Sequence, residues 1–241
     1  MSAAPETVAV VPLRDGVSGK SRLATALDPA ARRRLVATLA RHVVGVLVAS
    51  DAVDRVVVVT ADAPFAAETL AGLDVGVVVQ PADRPGLDAA LDLGREHAAA
   101  LGARRVLVAH ADLPLLSPAD VAALLAADAS APEVGGPGRD RRSGAPTSPR
   151  TADLTQPVVV APDRHGTGTN LLLVPATTAF TFRFGAGSCA AHVAEAGRAG
   201  LPVAVVHRPG TEVDLDTLDD WGELPAAARD RLRDGVGLPL P

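Results

Sequence analysis

The stretch "DRVVVVTADAPFAAETLAGLDVGVVV", residues 54–79, decides the fold. It opens on a run of valines, passes through a segment with helical spacing over 62–72, and closes on a second valine run at 75–79. A near-continuous β-branched run reads as a strand buried on both faces, because a solvated face would show alternating polar residues. Strand, helix and strand in this order imply parallel pairing through a crossover helix. The alternation extends both ways. "TVAVVPL" (7–13) and "RRVLVAHAD" (104–112) read as further strands, with a helical pattern at 87–101 between the third and fourth. Asp28 and Pro29 form a cap and first-turn pair opening a long helix with Leu35, Leu39, Val43 and Leu47 on one face. "SPAD" starts another helix, with Ser117 as cap and Pro118 in the first position. The prediction is an α/β sheet covered by helices on both faces.

The pattern stops at residues 129–157, which are rich in Pro, Gly, Ser and Arg and nearly devoid of aliphatic residues. Such a segment buries too little apolar area to offset the entropy of ordering, and it reads as a flexible surface insertion in one domain spanning 1–241. Order resumes with strands at 158–162, 170–174 and 202–206 and a helix from Ser188 to Ala199. The 241 residues suffice for one large core, and with 48% apolar but only 2% aromatic residues that core is built from Ala, Val and Leu. A net charge of −5 argues against nonspecific binding to nucleic acid or an anionic membrane. One cysteine excludes an intrachain disulfide framework and suits a reducing compartment. With no signal-peptide pattern and no apolar run of membrane-spanning length, the expected location is the cytoplasm.

In open α/β sheets ligands sit outside the carboxyl ends of the strands, and four polar clusters fall there. "RDGVSGKSRL" (14–23) nearly matches a phosphate loop, but Arg14 stands where the first glycine belongs. Arg14, Lys20 and Arg22 can still bind triphosphate oxygens; a solvated basic loop is the competing reading. Asp112 ends an apolar strand, so its carboxylate either meets a cation or caps the turn at Leu113–Pro114. In "VDLDT" (213–217), Asp214 and Asp216 point the same way if the segment is extended and can share a magnesium ion; alternatively Asp216 caps the next helix. Finally, "RHGTGTNLLLV" (164–174) and "FRFGAGSCAAH" (182–192) place glycines beside hydroxyls, either as tight turns or as a cradle for an anion. The start of the helix at Ser188 would add free amide groups to such a cradle.

The order of "VPLRDGVSGKSRLA", "HADLPLL", "APDRHGTGTNLLL", "FRFGAGSCAAH" and "VDLDTLDD" resembles the phosphoenolpyruvate and 2-phospho-L-lactate guanylyltransferases of coenzyme F-420 biosynthesis. The resemblance implies a single-domain, Rossmann-like nucleotidyltransferase fold with a mostly parallel mixed sheet. It implies transfer of GMP from GTP to a small phosphorylated carboxylic acid, with magnesium as cofactor. Carried over residue by residue, the phosphoenolpyruvate contacts fall on Thr169, Gly185 and Ser188, and the metal ligands on Asp112, Asp214 and Asp216. Arg14, Lys20 and Arg22 would hold the nucleotide. Asp88 stands where relatives often have asparagine, and it or a nearby carbonyl is expected to read guanine. A GC-rich composition favours the phosphoenolpyruvate branch over 2-phospho-L-lactate. The rival readings are another nucleotidyltransferase or a silent nucleotide-binding regulator. The oligomeric state stays open, a homodimer included.

Overall fold

The computed structural model describes residues 5–14, 20–127 and 156–236. The expected insertion at 129–157 lies outside the described residues except for Gln156 and Pro157, as do residues 15–19 of the basic loop. The chain runs β1 (Thr7–Pro12), α1 (Pro29–Val48), β2 (Arg55–Thr60), α2 (Ala63–Thr69), β3 (Gly76–Val79), α3 (Leu87–Ala100), β4 (Arg105–Ala109) and α4 (Pro118–Leu125). It continues with β5 (Val158–Pro162), β6 (Thr169–Pro175), α5 (Ser188–Arg198), β7 (Val203–Val205), α6 (Pro209–Glu212), α7 (Leu218–Glu223) and α8 (Ala226–Val236). The seven strands form one sheet in the order β3-β2-β1-β4-β6-β5-β7.

All pairings are parallel except those of β6, which runs antiparallel to both β4 and β5. The reason is the short loop 163–168, which returns the chain from β5 at once and leaves no length for a crossover helix. The reversal matters for function. It puts the first residue of β6, Thr169, at the same end of the sheet as the carboxyl ends of the other strands.

Both faces of the inner strands are buried, which is why they carry continuous apolar runs. The valine run of β3 instead lies at the sheet edge with Val77 and Val79 exposed, contrary to the expectation of burial on both faces. Ala9, Val11, Val58 and Leu107 pack on one side with Val43, Val44 and Leu47 of α1. Val8, Val10, Val57, Val106 and Val108 pack on the other with Leu91 of α3 and Ala196 of α5. A third cluster joins Leu23 and Leu27 to Leu35 and Leu39 of α1, and also holds Leu215, Trp221, Leu224 and Leu232. It pins two segments, the one after Lys20 and the one carrying Asp214 and Asp216, to the amino-terminal half of the same helix.

Local capping agrees with the sequence. Asp28 accepts from Ala31 N at 2.7 Å, and Ser117 and Asp120 form a capping box at α4. At α7 the cap is Thr217, boxed with Asp220, so the alternative role of Asp216 as a helix cap is not used. Among the described residues no helix is long and apolar enough to cross a membrane.

Candidate active site

A cavity of about 770 Å³ opens along the carboxyl ends of the strands. Going across the sheet, it is lined by Gln80 after β3, Arg14 after β1, Asp112 after β4, and Thr169 at the start of β6. Lys20, Arg22, Gly185, Ser188, Asp214 and Asp216 complete the group of expected site residues that line it. Asp88 is the exception. It sits in the first turn of α3, outside the lining, and its Oδ1 accepts a hydrogen bond from Phe184 N at 3.1 Å. Through that bond Asp88 braces the segment leading into Gly185.

The acidic end is built by one backbone contact. Leu215 N donates to Asp112 O at 3.0 Å, while the Leu215 side chain is buried in the third cluster. With Leu215 turned inward, Asp214 and Asp216 line the cavity beside Asp112. Lys20 stands between two of these carboxylates, its Nζ 2.7 Å from Asp112 Oδ2 and 2.6 Å from Asp216 Oδ1. Its backbone is left-handed, with φ of 56°, a conformation that costs a non-glycine residue about 1 kcal/mol. The Lys20 side chain is only 7% exposed, so burial alone would drag its pKa down; Asp112 and Asp216 outweigh that and hold it above the usual lysine value. Burial would likewise raise Asp112, but Lys20, and then His110, pull it below the usual carboxylate range. At Asp214, burial and the neighbouring charges of Asp112 and Asp216 outweigh the pull of Lys20 and push the pKa up.

Three carboxylates facing one ammonium leave an excess of negative charge, and among the described residues Asp112 Oδ1 is buried with no hydrogen-bond partner. Hard oxygen donors short of positive charge are what a magnesium ion takes. Among the described residues, however, no three such groups stand ready around a single point, since the Lys20 ammonium occupies the space between Asp112 and Asp216. The residues therefore fit the ion in kind and charge, with Lys20 in the cation's place.

The opposite end is made of two glycine turns. Asp163 organises the first: its carboxylate accepts from the N–H groups of His165, Thr167 and Gly168 and from the Thr167 hydroxyl. These donors overcome the effect of burial and hold its pKa low. Glycine is required at 168 because a Cβ there would lie 2.7 Å from Asp163 Oδ2. The second turn needs glycine at 185, where φ is +125°. Cys189 N donates to Thr167 O at 3.1 Å and joins the two turns. That bond, with Ser188 N donating to Gly185 O at 3.1 Å, corrects the expectation of free amides at the start of α5. What faces the cavity there is the Ser188 side chain and the backbone of Gly185 and Ala186.

Behind the turns lies His192, fully buried, with Nδ1 3.0 Å from Thr169 Oγ1 and Nε2 accepting from Arg183 N at 3.0 Å. Burial, with His110 adding to it and Glu195 opposing, pushes its pKa down to about 4. The folded value lies below the unfolded value of 6.5, so the unfolded chain takes up this proton first as pH falls. The contribution is complete above pH 6.5 and is lost toward pH 4, amounting to roughly 3 kcal/mol. Urea denaturation across this range should show the loss, and His192→Asn should flatten it; equal slopes for the two proteins would contradict the assignment.

Three polar lining side chains, Gln80, His110 and Asp163, escaped the sequence reading. Gln80 and His110 each directly follow the last residue of a strand, the positional logic that found Asp112. Gln80 Nε2 donates to the carbonyls of Arg84 and Gly86, and His110 Nε2 is buried without a partner among the described residues. Asp163 was visible as an Asp before a glycine-rich turn.

Comparison with known proteins follows the same lines. The family model described as "MobA-like NTP transferase domain" matches residues 22–178, and "Guanylyl transferase CofC like" matches residues 151–231. The phosphoenolpyruvate guanylyltransferase of Conexibacter woesei is 39% identical over 90% of this chain and 86% of its own length. Those of Sphaerobacter thermophilus and Rubrobacter xylanophilus are 37% and 38% identical, over 90% and 91% of this chain and 92% and 93% of theirs. Among solved structures, a Desulfovibrio desulfuricans protein described as a nucleotide-diphospho-sugar transferase superposes with a TM-score of 0.66 at 16% identity, covering 95% of this chain and 96% of that one. A 4-diphosphocytidyl-2C-methyl-D-erythritol synthase gives 0.52 at 16% identity, covering 96% and 98%. At these identities the two structures speak for the fold alone.

Proposed function

The chain belongs to the phosphoenolpyruvate guanylyltransferase family, and from that premise we propose that it transfers GMP from GTP to the phosphate of phosphoenolpyruvate, releasing pyrophosphate, in coenzyme F-420 biosynthesis. The observation that carries the reading is a single cavity with a carboxylate–lysine cluster beside β4 and two glycine turns beside β6. In the reaction an acceptor phosphate oxygen attacks the α-phosphorus. The bond from that phosphorus to the bridging oxygen breaks, and pyrophosphate leaves with the electron pair. The acceptor phosphate is already anionic near neutral pH, so no strong base is required. The difficulty is bringing two polyanions together, which positioning and fixed charge address.

Arg14, Lys20 and Arg22 bind the triphosphate in this reading, and Lys20 and Arg22 would stabilise the departing pyrophosphate. Asp112, Asp214 and Asp216 would hold magnesium, which when bound would supply neutralising charge to the phosphates. Thr169 and Ser188 offer hydroxyls to the acceptor, and Gly185 lets it approach the backbone. The order of lining residues across the sheet supports placing the guanine base toward Gln80, Gly86 and Leu87 at the β3 side. GTP is a metabolite of the cytoplasm, which supports that location.

Incubating the protein with GTP, magnesium and phosphoenolpyruvate should yield equimolar pyrophosphate and a guanylylated acid identified by mass. ATP should substitute poorly, and 2-phospho-L-lactate should react more slowly. Absence of a guanylylated product with either acid would overturn the reading.

A further inference from the structure

His192 lies outside the cavity lining, yet it is hydrogen-bonded to both segments of the glycine-turn end. Its ring is fully buried, with Phe184 edge-on at a centroid distance of 4.6 Å and Phe180 at 5.9 Å. The two ring nitrogens have different partners, and those partners decide where the ring proton sits. A backbone N–H can only donate, so Arg183 N, 3.0 Å away, requires a lone pair on Nε2. The neutral ring therefore carries its proton on Nδ1. That N–H, 3.0 Å from Thr169 Oγ1, must donate to the hydroxyl.

A threonine hydroxyl has one proton and two lone pairs. With one lone pair engaged by Nδ1–H, the proton is free to be given away, and among the described residues the hydroxyl has no other hydrogen-bond partner. Thr169 is only 2% exposed and lines the cavity, so the acceptor for its proton has to come from there. A serine or threonine in water donates and accepts with equal ease. Here the imidazole occupies one lone pair and cannot take the hydroxyl proton, which is left for a partner in the cavity.

We propose that His192 is a positioning residue that turns the Thr169 hydroxyl into a fixed donor facing the cavity, matching it to an acceptor-only group such as a fully deprotonated phosphate or carboxylate. This deepens the function proposed above and rests on its placing of the phospho-acid against Thr169. The same ring holds Arg183 N–H, so it also fixes the segment that leads to Gly185. One side chain thus sets both the hydroxyl and the neighbouring turn. His110, the other titratable group near the ring, and Glu195, one turn along α5, are the charges that could disturb this arrangement.

Long-range ¹H–¹⁵N correlation spectra of the intact protein test the first step. Near neutral pH they should show Nδ1 protonated and Nε2 bare; an Nε2–H tautomer or an imidazolium ring overturns the proposal. Kinetics test the second. Loss of a hydrogen bond to a charged group costs roughly ten- to hundredfold in binding. Thr169→Val should therefore raise KM for phosphoenolpyruvate by about that factor while KM for GTP stays within a few fold. His192→Leu should do the same, and His192→Asn, whose amide can still donate toward Thr169, should recover most of the difference. An unchanged KM for phosphoenolpyruvate in folded His192→Leu overturns the proposal, and so does a loss that His192→Asn fails to restore. Should His192→Leu not fold, the tautomer of the wild-type ring and the Thr169→Val kinetics decide. If the wild-type protein shows no guanylyl transfer at all, the parent reading falls and takes the acceptor half of this one with it, while the tautomer is still read independently.

Discussion

Replacing Asp112 by asparagine should lower kcat/KM for guanylyl transfer by roughly 10³-fold while the protein stays folded. The substitution is isosteric and removes a single negative charge, but that charge sits at the centre of the acidic end. One oxygen of Asp112 pairs with Lys20 and the other is buried with no partner among the described residues, so this side chain both holds the lysine and offers an unspent buried oxygen to the cluster. The amide of the Asp112→Asn variant would keep the volume and one acceptor oxygen and lose the affinity for a divalent cation. Stability should fall by only about 1 kcal/mol, because Lys20 retains Asp216. Pyrophosphate release measured alongside thermal unfolding separates the two effects. Turnover near the wild-type rate would reject the assignment of Asp112 to the phosphate chemistry.

The second large effect is expected far from any charge in the cavity. Gly210→Ala should destabilise the fold by about 2–3 kcal/mol and cut kcat/KM by about 10²-fold. A Cβ at 210 would lie 2.0 Å from Asp120 Oδ2 and 2.7 Å from Leu115 O. Neither atom can yield. Leu115 O belongs to the backbone, and the Asp120 carboxylate is committed to the Ser117 cap and to Arg208 Nε at 3.1 Å. Helix α6 must then move, and it is α6 that delivers residues 213–216 to Asp112 through the Leu215 N–H bond. A shift of even an ångström there would misplace Asp214 and Asp216 together. Chemical denaturation and steady-state kinetics check the pair of effects, and a variant with normal stability but lost activity would place the cause elsewhere.

Much of this architecture is legible in local sequence. The valine runs of β1, β2 and β4 announce strands because burial on both faces removes any need for alternation. The candidate site is legible to the extent that position along a strand predicts it, as for Asp112. Asp88 shows where that logic ends. The resemblance offers it as a guanine contact, while its Oδ1 also accepts from Phe184 N, a residue distant in sequence that no local pattern reveals.

What the sequence by itself determined is the identity of the elements, the two buried faces, and the stock of charged and hydroxyl groups near the strand ends, all of which follow from residue type and near-neighbour spacing. What only the tertiary structure decided is how those groups divide their bonding capacity. Lys20 could have faced solvent or phosphate, yet it lies between Asp112 and Asp216 because a buried ammonium requires counter-charge. His192 could have carried its proton on either nitrogen, and the backbone of Arg183 settles which. Hydrogen-bond donors and acceptors are assigned in pairs, and the partner in each of these pairs is brought from a remote part of the chain by packing.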